Sequence, residues 1–251
     1  MNYLLYFIVG AFIGSFLNVC IHRLPRGQSI ITPRSHCPGC QHTLSVLDLL
    51  PILSYLFLLG KCRYCHLAIS GRYPLVELVS GIFFAVNAFV FTLPIDLASS
   101  LIFCSLLIAI FFIDFEQLVI PDALSYGGIL LGLFFGLFRG EFVDSLLGGI
   151  LGFSLLYFVG VVGKLLFKKQ AMGEGDYFMA ALLGTFLGWQ GVLVALFLAY
   201  LASGFVTLPL LLLKRVKIDQ AIPFAPALAI GGLATLYFGD FILHWYLSFL
   251  L

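Results

Sequence analysis

The sequence is poor in charge. Only 10% of its 251 residues are Asp, Glu, Lys or Arg, while 62% are hydrophobic; a soluble domain carries about 25% charged residues. That scarcity excludes an ordinary soluble domain and leaves a polytopic membrane protein. Basic runs of the kind that bind nucleic acid are missing, and a net charge of +1 gives no pull toward acidic partners. No small-residue cleavage site follows the first apolar run, residues 3–21, so this run reads as a retained span rather than a removed signal. No glycine-rich fingerprint follows a strand-like segment, which excludes the soluble dinucleotide-type fold. Nor do two interrupted apolar segments recur in matching halves, which disfavours an inverted-repeat transporter.

What is present is a series of apolar runs. At about 20 residues per crossing, they predict eight spans: residues 3–21, 75–91, 95–113, 124–138, 145–167, 177–187, 191–213 and 224–249. The sixth is short for a full crossing. The predicted fold is an all-α membrane helix bundle of about eight helices in the lipid bilayer. One long polar loop, residues 22–73, lies between the first and second spans. It holds Arg23, Arg26, Arg34, Lys61, Arg63 and Arg72. Lys164, Lys168 and Lys169 precede Asp176, and Lys214, Arg215 and Lys217 follow the seventh span. With eight spans these groups share one side and leave only Arg139 opposite, so that side is cytoplasmic.

The long loop carries Cys37-Pro38-Gly39-Cys40 and Cys62-Arg63-Tyr64-Cys65, two C-x2-C pairs. Such knuckles suit a structural, tetrahedral Zn²⁺ held by Cys37, Cys40, Cys62 and Cys65. Two disulfides are the alternative, disfavoured where thiols stay reduced. His36, His42 and His66 flank the pairs as potential replacement ligands or as solvated residues. Cys20 and Cys104 stand alone in apolar runs and read as packing residues. Residues 44–56 read as a helix within the loop, with Asp48 as its cap or as a site residue.

Acids at span ends are costly in a membrane protein and mark candidate sites. Asp114 ends the third span, with Glu116 and Asp122 close behind; Asp176 follows Gly173 and Gly175 at the start of the sixth. The topology brings Asp114 and Asp176 to the same face. Two neighbouring carboxylates share a proton, so one can accept from water while the other donates to a carbonyl oxygen. Glu116 and Asp122 compete with Asp114 for this role, and spacing alone does not choose. Interfacial caps or a proton pathway would use the same residues.

Taken in order, the motifs resemble the bacterial type IV prepilin peptidases, the prepilin leader peptidase/N-methyltransferases. They are Gly14-Ser15-Phe16-Leu17-Asn18-Val19 with Arg23-Leu24-Pro25, the cysteine pairs around Asp48-Leu49-Leu50-Pro51, Arg72-Tyr73-Pro74-Leu75-Val76-Glu77, Ile113-Asp114, Ile120-Pro121-Asp122, Gly173-Glu174-Gly175-Asp176 and Pro223-Phe224-Ala225-Pro226. The resemblance implies a bifunctional, multi-pass enzyme of the bacterial inner membrane. It would cut the short basic leader from prepilins or pseudopilins at the cytoplasmic face, with Asp114 and Asp176 as catalytic pair. It would then methylate the new N-terminal residue with S-adenosylmethionine. Residues 1–92 form the methyltransferase-associated region and 93–251 the peptidase core. Asp48 and Glu77 are candidate contacts for the methyl donor, or else helix-end acids. The family often carries Lys two residues after the second acid, where this chain has Phe178. A peptidase without methyl transfer, and a zinc-stabilised transporter or assembly scaffold, are the competing expectations.

Overall fold

A computed structural model of the chain describes residues 2–168, 172–213 and 222–248. Lys169, Lys214, Arg215, Lys217 and the end of the predicted last span at Phe249 lie outside them. The described residues are helical and form no sheet. The order is α1 (Tyr3–Arg23), α2 (Leu53–Phe57), α3 (Arg72–Val90), α4 (Pro94–Gln117), α5 (Asp122–Arg139), α6 (Phe142–Phe167), α7 (Glu174–Leu212) and α8 (Ala225–Leu247). All but α2 are long and apolar enough to cross a membrane. Two compact units result, Met1–Ala109 and Ile110–Leu251.

In the first unit α1 packs on α3 through small residues. A methyl group added to Gly14 would lie 2.7 Å from the Glu77 Cα, so the two backbones meet there. Close approach of this kind is how helices gain dispersion contact where lipid supplies no hydrophobic drive. The segment expected as one loop helix over 44–56 is instead two short pieces, a 3₁₀ turn at Val46–Leu49 and α2. Pro51 interrupts the pattern, and Ile52 adopts φ +63°, which no continuous helix accommodates.

In the second unit the expected sixth and seventh spans appear as the two arms of α7, joined at Gly188. Gly188 has φ 72° and ψ 178°, a conformation essentially restricted to glycine. The arms fold back on each other. A methyl group at Gly152 of α6 would touch both the Ala180 carbonyl and the Val192 side chain. On one straight helix those residues would stand roughly 18 Å apart. Asp144, in the first turn of α6, holds the bend by accepting from the Trp189 N–H (3.4 Å). Both ends of α7 therefore return to one end of the unit, so the seven helices of spanning length among the described residues, one of them bent back on itself, fit the expected all-α membrane bundle.

Candidate active site

Asp114 lies near the C-terminal end of α4, where the helix's own dipole disfavours an anion. The amino end of α8 compensates: the Ala225 N–H donates to Asp114 Oδ2 at 3.1 Å. Pro226, the second residue of α8, fixes its first turn. Asp176 is the third residue of α7, and its Oδ2 accepts from the Gly173 N–H at 3.2 Å. An acid three residues into a helix reaches back to the entering backbone in this way. Both carboxyls are buried, and Asp176 lies close enough to Asp114 to feel its charge. Glu116 and Asp122 are exposed, Asp122 being the first residue of α5. The structure thus brings Asp114 and Asp176 together and leaves their competitors outside.

The contact that joins the two motifs is Gly175 against Ile120. A methyl group at 175 would sit 2.8 Å from the Ile120 Cβ. The turn after Asp114, with Leu118 at φ +55°, can therefore press on the start of α7. Tyr200, twelve residues beyond the Gly188 bend as Asp176 is twelve before it, also feels the Asp176 charge. Its ring meets Phe224, just before α8, at 5.4 Å. Nothing in the sequence points to Tyr200, because only the fold-back of α7 places it there.

The acids lie well below the end of α6. Tyr177 meets Tyr157 at 5.6 Å and fills the space over Gly160. Residues 157–160 stand seven to ten positions before Phe167, roughly 10–15 Å along the axis. Phe178 occupies the position where lysine was expected. It packs edge-on to Tyr126 (4.9 Å) and against Phe153 (5.3 Å), tying α7 to α5 and α6.

In the first unit the four cysteines converge, with all Sγ atoms within 4.8 Å of one another. Cys37 and Cys65 are 3.7 Å apart, the edge of a tetrahedron about 3.8 Å long for Zn–S bonds near 2.3 Å. The two knuckles repeat one turn. The Cys37 N–H donates to the His42 carbonyl and the Cys62 N–H to the Leu67 carbonyl; Gln41 and His66, both at φ 58°, close the turns. A hydrogen bond from the Cys40 backbone draws the Cys37 thiol down to about 7. Although the Leu67 amide favours its thiolate, the desolvation of its sulfur and the three neighbouring thiols push Cys65 up to about 11. Four thiols so close ionise together only around a cation, so the donor set fits a metal. His42 stacks on Tyr64 at 3.6 Å instead of joining the sulfurs. Cys20 and Cys104 are buried, as packing residues would be.

A cavity of about 810 Å³ opens between the knuckles and the facing ends of α1 and α3. Asp48 and Glu77 both line it. Asp48 Oδ2 accepts from the Ser45 N–H and hydroxyl and from the Tyr64 hydroxyl, and its Oδ1 accepts from Arg63 Nε (2.7 Å), so most of the carboxylate's acceptor capacity is used within the loop. Burial pushes its carboxyl up, but the bonds from Ser45 and Arg63 prevail and hold it below the usual range. Glu77 accepts from the Ile52 N–H (2.7 Å) and the Ser15 hydroxyl and keeps acceptor capacity.

Known proteins resemble this chain in sequence. Residues 8–91 match the bacterial peptidase A24 N-terminal domain, and residues 101–208 match the type IV leader peptidase family. A prepilin leader peptidase/N-methyltransferase of Aeromonas salmonicida (strain A449) is 36% identical, over 98% of this chain and 94% of its own. Proteins of the same name from Aeromonas hydrophila and Pseudomonas aeruginosa are 36% and 34% identical, over 97% and 96% of this chain and 93% and 92% of theirs. No solved structure matches the chain.

Proposed function

The chain belongs to the type IV leader peptidase family, and from that premise we propose that it cleaves prepilin or pseudopilin leaders and methylates the new N-terminus. The observation that carries the peptidase half is that Asp114 and Asp176, 62 positions apart in sequence, are both buried and within reach of each other's charge. Two such carboxyls hold one proton between them. The ionised one takes a proton from water, whose oxygen forms the bond to the scissile carbonyl carbon. The neutral one gives its proton to the carbonyl oxygen. Collapse of the tetrahedral species breaks the C–N bond: the proton taken from water passes to the leaving nitrogen, and a hydroxyl proton returns to the carboxyl that had given one up. Gly173 and the first amide of α8 orient the two carboxyls.

The active site faces the cytoplasm of a multi-pass inner-membrane protein, sunk below that face; the basic residues bordering the loop and α6 support this side. Cys37, Cys40, Cys62 and Cys65 hold Zn²⁺, which closes the loop fold. The cavity accepts S-adenosylmethionine, which supplies the methyl group when bound; its volume suits a cofactor of that size. Glu77 contacts it directly, and Asp48 fixes Arg63 on the cavity wall. Residues 1–92 serve methyl transfer and 93–251 cleavage. Mass spectrometry of prepilin processed by the purified enzyme tests the pair of activities. A shortened pilin with one added methyl group is the expected product. A shortened, unmethylated pilin leaves a peptidase alone, and an uncut pilin refutes the whole reading.

A further inference from the structure

The α1–α3 side of the cavity carries a polar side chain that neither activity has yet used. Asn18 is 2% exposed and stands on the cavity wall one helical turn from Gly14, where α1 meets Glu77. Its Nδ2 donates to the Gly14 carbonyl (3.2 Å) and the Tyr73 carbonyl (3.1 Å), so the amide is pinned with a fixed orientation. Its Oδ1 is buried and receives no hydrogen bond. A buried acceptor without a donor is rare and marks a place where a partner belongs. Close by on α3, Glu77 is buried yet keeps room for further donors. Its carboxylate also restrains Ile52, a β-branched residue at φ +63°, and such strain collects at ligand clamps. Arg63 and Arg72 line the same cavity.

One bare acceptor and one carboxylate, with guanidiniums elsewhere on the wall, match a ligand that presents a primary ammonium beside a negative group. We infer that Asn18 Oδ1 and the Glu77 carboxylate form an ammonium subsite. This rests on the methyltransferase reading above. Two ammonium groups reach such a cavity, that of the methyl donor's amino-acid arm and the new α-amino group of the cleaved pilin.

Ligand pairs that differ in this group test the inference by calorimetry on the full-length enzyme in detergent. S-adenosylhomocysteine is compared with its desamino analogue, which keeps the carboxylate and lacks only the ammonium. A peptide of the mature pilin N-terminus is compared with its N-acetylated form. Loss of a charge-assisted contact weakens binding about tenfold or more. If S-adenosylhomocysteine alone weakens in Glu77→Gln and Asn18→Ser, the subsite holds the methyl donor. If only the free-amine peptide weakens, it holds the acceptor. Zinc content and the melting midpoint show that each variant is folded, and the wild-type ligand preference stands even if one is not. Wild-type enzyme that binds each pair equally, or folded variants that leave both preferences intact, overturns the subsite while the methyltransferase reading stands. Wild-type enzyme that binds none of these ligands overturns both.

Discussion

At Gly175 the start of α7 lies too close to Ile120 to leave room for a methyl group. In Gly175→Ala the new Cβ would meet Ile120 at 2.8 Å, so the 118–121 turn has to shift. That turn follows Asp114 directly, and misplacement by about 1 Å costs catalysis roughly a hundredfold. Cleavage by Gly175→Ala is expected to fall ten- to a hundredfold, with a melting midpoint near that of the wild type. Asp48 gives a pH signature instead. Its carboxyl lies below the ordinary range, so its contribution to loop stability is complete above the unfolded value near 4. That contribution fades as pH falls through the lower folded value. Hydrogen exchange at residues 45–49 should accelerate on acidification through that window, and the Asp48→Asn loop should show no such step. Residue types were legible in the sequence, since burial costs make acids in an apolar chain conspicuous. Which of Asp114, Glu116 and Asp122 is buried was not, because it depends on where α8 begins.

Among the elements, α7 shows why run length and helix count diverge. The sequence supports two spans here because residues 177–187 and 191–213 are separately apolar. Their joining into a hairpin depends on one backbone conformation at Gly188, which no periodicity reports. Gly188→Ala forces a Cβ into that conformation and against the Asp144 carboxyl. A loss of about 1–3 kcal/mol is expected, read as a lower unfolding midpoint in detergent. The break in 44–56 has the same origin: Pro51 was visible, but the positive φ of Ile52 is imposed by its bond to Glu77 on a different helix. Phe178 is an element-scale residue too. It holds α5, α6 and α7 together through Tyr126 and Phe153, a role that its place beside Asp176 in sequence conceals.

At the scale of the molecule the two proposed sites lie in different units. The cysteine knuckles and the 810 Å³ cavity belong to the first, and Asp114 and Asp176 to the second. Elemental analysis should find about one Zn²⁺ per chain. Chelation should lower S-adenosylhomocysteine affinity at least tenfold and slow cleavage by less, because the knuckles form the cavity wall. Equal loss of both would tie the metal to the peptidase half as well. The central claim is that Asp114 and Asp176 act as one catalytic pair. Its most direct test is the rate at which purified Asp114→Asn and Asp176→Asn cleave a prepilin, each variant shown folded by zinc content and melting midpoint. Each is expected to lose about a thousandfold or more. Cleavage within tenfold of the wild type by either variant would contradict the pair.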